Sequence, residues 1–189
     1  MALSYSLVRT VEPSEFVSLD LAKNHLRVDH NQDDQYISSL ITAARETLEE
    51  RTNRAFAQQQ WQLGLNFWQS MMIIPRPPLI SVEEIKYLDT DEQWQVVDTD
   101  VYRVAIAPMP GYVYLAPGQG WPDKLSAMES IAISFTCGGV VEKQATQFVL
   151  LMVGNWYENR EAVAIGAAPH DLPQSADMLL QQLRVGCYP

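Results

Sequence analysis

The stretch DDQYISSLITAARETLEERTNR, residues 33–54, decides how the chain is organised. Tyr36, Ile37, Leu40, Ile41, Ala44 and Leu48 recur at helical spacing, which predicts an amphipathic helix with one apolar stripe. Asp33 and Asp34 stand at its positive end, where acidic residues cap free amides and favour the dipole. Arg45, Arg51 and Arg54 stand toward the other end, and Asn53 offers a stop. A helix with one apolar stripe needs partners to bury it, and the chain supplies them on both sides.

Upstream, Ser18 can cap a short helix carrying Leu19, Ala22, Lys23 and Leu26 and ending near Val28, and 29–34 form a polar turn. Far downstream, after the Gly138-Gly139 breaker, Ala145, Phe148, Val149, Met152, Val153 and Trp156 resume helical spacing. That helix is expected to run through Tyr157 to about Glu161. Gly166 to Pro173 then reads as a link, and Ala176 to Leu183 as a short final helix with Met178, Leu179, Leu180 and Leu183 apolar.

Between these helices, from about Gln58 to Gly138, short apolar or alternating runs are separated by Pro, Gly and Asp, the signature of strands and turns. Strands are expected over Trp61–Trp68, Met71–Ile74, Val82–Leu88, Trp94–Val97, Tyr102–Ile106, Tyr112–Leu115 and Ile131–Thr136. Residues 89–92 read as a hairpin turn, and 108–111 and 117–120 as two more. The expected fold class is α+β: a helical bundle built from both ends of the chain (1–57 and 139–189) with an inserted small antiparallel β module (58–138). The alternation is too imperfect to give strand order.

The composition narrows the function classes. Thirteen basic against twenty-three acidic residues leave a net charge of −10, so the average surface repels nucleic acid. Around a DNA channel the same charge would let a duplex slide without sticking. Cys137 and Cys187 lack metal-ligand or redox-motif spacing and are read as reduced thiols of a cytoplasmically made protein. No stretch approaches the roughly 20 apolar residues of a membrane span, so no membrane association is expected.

Motifs for catalysis or metal binding are weak. Asp29, Asp33 and Asp34 with His30 could converge on a cation, but they lack the alternating ligands and central glycine of a calcium loop; helix capping is the favoured use. His25, His30 and His170 have no zinc-ligand spacing, the serines have no nucleophile elbow, and the glycines form no phosphate loop. The expectation is a protein that is not an enzyme, with no catalytic residue, metal or cofactor. Residues 155–161, NWYENRE, concentrate residue types common at interface hot spots, although Trp156 could equally finish the core. The tryptophans of the β module could form a sugar-stacking platform, with core packing or subunit contact the commoner uses.

Several segments together resemble a known family. Leu21-Ala22-Lys23-Asn24-His25-Leu26-Arg27-Val28-Asp29, then Asp33-Asp34, the Ile37–Leu48 helix and Arg51-Thr52-Asn53-Arg54 look like the amino-terminal half of the head-to-tail connector (adaptor) proteins of long-tailed bacteriophages. Ile74-Pro75-Arg76-Pro77-Pro78-Leu79 leading into Val82-Glu83-Glu84-Ile85, and Trp156-Tyr157-Glu158-Asn159-Arg160-Glu161, are similar to larger members with a β insertion.

The resemblance implies a homo-oligomeric ring, commonly of twelve, docked beneath the portal protein at the head-tail junction of the virion. Such a ring keeps the DNA channel continuous, with no specific DNA binding, and offers a platform for the next neck or tail protein. It further implies a carboxy-terminal arm reaching the portal, here Asp177 to Tyr188. Expected subunit or portal interface residues are Trp156, Tyr157, Arg160, Met178, Leu179, Leu180 and Leu183. The alternatives are another neck or tail-completion protein and, from a different class, a carbohydrate-binding or hydrolytic β module.

Overall fold

The structure, a computed structural model, describes residues 5–159 and 174–184. The chain divides into two compact units, one of strands (described residues 5–14 and 57–140) and one of helices (15–56 and, after 140, the remaining described residues). The α+β class expected from the sequence is what is found.

The helical unit holds α1 (Leu19–Leu26), α2 (Asp34–Thr52), α3 (Lys143–Glu158) and α4 (Gln174–Leu183). The Ser18 hydroxyl accepts from the Leu21 amide and starts α1. α2 stops because Asn53 turns left-handed, letting its own N–H and that of Arg54 reach back to the carbonyls of Glu50 and Glu49. Ile37, Leu40, Ile41, Ala44 and Leu48 form one buried stripe that meets Phe148, Val149, Met152 and Val153 of α3 and Leu180 and Leu183 of α4. Each fully buried apolar side chain of this kind contributes about 1.5–3 kcal/mol.

The β unit contains two antiparallel sheets. β1 (Tyr5–Val11), β2 (Gln59–Leu65), β8 (Ile131–Cys137), β4 (Leu79–Leu88) and β5 (Trp94–Val96) form one, in the order β1-β2-β8-β4-β5. β3 (Met71–Ile73), β7 (Tyr112–Leu115) and β6 (Tyr102–Ala105) form the other, in the order β3-β7-β6. Across the large sheet Leu63, Ile133 and Ile85 stand in one row and Trp61, Phe135 and Val82 in the next, which gives an apolar inner face. In the small sheet Met72, Val113 and Tyr102 are buried.

β1 departs from the sequence expectation, which placed 1–57 with the helices. Tyr5–Val11 pairs with β2 from Tyr5↔Leu65 to Val11↔Gln60 and groups with the strands. As an edge strand it is half exposed along its length, so it carries no buried-face alternation for a pattern to reveal. The chain closes near the end of β8 by a close approach at Gly138, whose φ is +89° and where a Cβ would come within 2.0 Å of the Ala57 carbonyl oxygen; only glycine fits.

The β4–β5 turn is built by Asp89. Its carboxylate accepts from the Gln93 and Asp91 amides and the Gln95 side chain, and the Gln93 hydrogen bond above all holds the carboxyl below its ordinary value. A depressed folded pKa stabilises the turn above the unfolded value and loses that support as pH falls through the folded one. We expect the Asp91 and Gln93 amide resonances to titrate with a midpoint below that of a free aspartate, about 3.9; a midpoint at or above it would refute the capped turn.

Candidate assembly surfaces

At the end of α3 the aromatic residues turn inward. Trp156 and Tyr157 pack against the helical core. The Tyr157 hydroxyl donates to the Asp33 carboxylate, and the Tyr36 hydroxyl donates to the Trp156 carbonyl at 3.4 Å. The rings of Tyr36 and Tyr157 lie 6.1 Å apart. These contacts tie the end of α3 to the start of α2. Arg160 lies outside the described residues, as do Glu161, His170 and Cys187.

The same geometry corrects the capping role expected of the acidic turn. The Asp33 side chain makes no cap hydrogen bond, because Tyr157 engages its carboxylate. Asp34 is held by Lys23 of α1 at 2.7 Å, and Lys23 also donates to Asn31. Asp29 and His30 are exposed. Among the described residues, no group of three or more Asp, Glu, His or Cys side chains is arranged to hold a metal ion.

Over its described residues the carboxy-terminal helix, taken from the resemblance as an arm reaching the portal, is docked by one face on the helical core. Ala176, Leu180 and Leu183 are buried in the helical core, with Leu179 packed against it, and only Met178 of the apolar set is exposed, at 64%. The reason is amphipathic phase: Ala176, Leu180 and Leu183 share one helix face, and Met178 lies off it. Arg54 reinforces the docking by donating from Nη1 to the Leu183 carbonyl and from Nη2 to Glu142 at 2.7 Å.

Two features go beyond what the sequence pattern shows. Arg45, beside the apolar stripe of α2, is 2% exposed and binds Glu15 at 3.0 Å and Glu49 at 2.9 Å. Burial works against its charge, and the two carboxylates outweigh that effect and raise its pKa above the ordinary value. Glu49 in turn accepts the Phe56 amide at 2.8 Å. In the β unit the Trp61 ring lies beneath both Arg9 and Arg76, with guanidinium carbons 5.1 and 5.5 Å from its centroid. Arg76 belongs to the IPRPPL segment, which now has a role: it folds the chain from β3 into β4 with Arg76 on Trp61.

The tryptophans of the β unit serve different ends. Trp68 and Trp121 stack face to face, 4.6 Å apart, and their indole N–H groups donate to the Pro122 and Gln69 carbonyls. This clasp closes the long 116–130 loop. Trp94 is half exposed on the edge strand β5.

Among the described residues, the exposed large hydrophobics lie almost all in the β unit; Leu21, Val141 and Met178 are the exceptions. They concentrate on the outer face of the small sheet and on the two edges of the large one. The sequence clue was short runs apolar at both parities, MMII and YVYL. Such a run gives a strand apolar on both faces, so burying one leaves the other apolar face outward.

The arrangement defines a class: an α+β protein with a helical unit and a β unit of two antiparallel sheets. No described helix is long and apolar enough to cross a membrane. Residues 16–86 match the family model described as phage gp6-like head-tail connector protein, and this bears out the resemblance drawn from the sequence. The fold is shared with a chain of "Neck of empty GTA particle computed with C6 symmetry" (TM-score 0.80, 18% identity, 97% of each chain). It is shared likewise with "Virion of native gene transfer agent (GTA) particle" (0.78, 22%, 97% of each), and with "Neck of native GTA particle computed with C12 symmetry" (0.72, 19%, 97% of each). No curated protein matches the chain.

Proposed function

We propose that this protein is a head-to-tail connector: copies form a ring in the neck of a phage or phage-like particle, below the portal, and present a platform to the next neck or tail component. The observation that carries this is the agreement in fold with neck chains across both units, β insertion included, together with the connector-family match at the amino-terminal side. Its work is positional and no catalytic step is assigned. A net charge of −10 per copy suits a channel that passes DNA without holding it, where acids face the duplex. The portal contact falls to the exposed side of α4, with Asp177, Met178 and Gln181, since the other side is occupied by the core.

Deleting the gene in a particle-producing host is the test. DNA-filled heads and complete tails should accumulate unjoined, and supplying the protein should restore joined particles. Normal particle yield without it would overturn the proposal, and recovery of the protein on free tails but never on filled heads would move it to the tail side of the junction.

A further inference from the structure

A closed ring of identical copies needs two different, mutually complementary surfaces on each copy. The β unit carries such a pair, one on each sheet.

The first is the outer face of the small sheet. Strand register sets Met71 opposite Tyr114 and Tyr114 opposite Arg103, with Ile73, Tyr112 and Ala105 in the adjoining row. Met72 and Val113 alternate with them and are buried, so these two rows face outward, with Met71 47% and Tyr114 38% exposed. Aromatic residues, Met and Arg are the types enriched at interface centres, and the face contains no acid. The Arg103 guanidinium donates to the Tyr102 carbonyl at 2.8 Å, which fixes it beside the sheet. With five donors it retains capacity for a carboxylate.

The second is the β4–β5 hairpin. Trp94 and Val96, two residues apart on the edge strand, are 50% and 58% exposed on one side. Val96 pairs with Lys86, a neighbour of buried Ile85, so this side is the one opposite the apolar inner face of the large sheet. Asp91 and Glu92 precede the strand and Asp98 and Asp100 follow it, and no basic residue falls between Lys86 and Arg103.

We propose that in the ring the hairpin of one copy seats Trp94 and Val96 on the Met71, Ile73, Tyr112 and Tyr114 face of the next, with Arg103 opposite the hairpin's acids. The inference rests on the connector reading above and names the contact that closes its ring. A second copy is the occupant because the two patches are complementary in both respects: apolar meets apolar, and the face's one cation meets an acidic ridge. Because the patches lie on different sheets, their pairing is head-to-tail and propagates. Three strands of three or four residues span roughly 14 by 13 Å, well below the ~800 Å² per partner of a standard interface. The face is therefore the anchor of a larger contact.

The test places a photo-crosslinking benzoylphenylalanine at Tyr114 of the full-length protein, in a concentration series and in assembled particles. Irradiation should join copies through the peptide covering 89–100. The pair Trp94→Asp/Val96→Asp should lower the crosslink yield by about tenfold or more, the scale of a lost hot spot. Mixing that variant with Ile73→Asp/Tyr114→Asp should give one-to-one dimers and no rings, since each retains one good surface. Rings whose crosslinks map elsewhere, or that form undiminished from the hairpin variant, would overturn this contact and leave the connector reading standing. Absence of the protein from particle necks would instead overturn that reading, and the inference with it.

Discussion

Replacing Arg45 with Met is expected to destabilise the helical unit by about 3–5 kcal/mol, the scale for removing one partner of a buried ion pair. The cost comes from what is left behind: the Glu49 side chain is 5% exposed and would lose its buried cation partner. Glu15, more exposed at 28%, can turn to water. The double variant Arg45→Met/Glu49→Gln should recover most of the loss, because glutamine is neutral and can still accept the Phe56 amide. Urea unfolding followed by far-UV circular dichroism measures both. A single variant within 1 kcal/mol of wild type, or a double variant worse than the single, would show that the pair is not buried in this way.

Leu180→Ala and Leu183→Ala are each expected to cost about 2–5 kcal/mol, the range for truncating a core leucine. Both are at most 3% exposed, and Leu183 also carries the carbonyl that receives Arg54. Met178→Ala, at a position 64% exposed, should stay within about 0.5 kcal/mol. The contrast separates an integral helix from a detachable arm: an arm would tolerate all three substitutions and lose only docking. Equal, small effects at 178, 180 and 183 would restore the arm. By the same logic, removing the segment from Asp177 onward should cost stability as well as portal attachment.

These two predictions mark where sequence patterns run out. The stripe of α2 was legible because six apolar residues repeat at one period, and the observed core uses five of them, with Tyr36 packed at its margin. The burial of Arg45 was not, since an i,i+4 pair with Glu49 beside an apolar stripe reads as solvated until Glu15, 30 positions upstream, is brought against it. In α4 the apolar residues were visible, but which of them face the core depends on the helix's phase against α3. Tyr157 and Asp33, 124 positions apart, meet only through the pairing of α2 with α3.

The β unit divides the same way. All seven strands after β1 were announced by short apolar or alternating runs and by their Pro, Gly and Asp punctuation, because turn chemistry is local. Strand order was not, since pairing β2 with β8 rather than with β3 is a choice among distant partners, and β1 became a strand only by finding β2. The sequence by itself determined the α+β class, the helices and most strands, the acidic balance and the likeness to connectors, all of which rest on local periodicity, composition and short segments. Only the tertiary structure decided the two-sheet order, the burial of Arg45, the docking of α4 and the outward apolar face of the small sheet, because each depends on which remote residues a side chain meets once the chain has closed on itself.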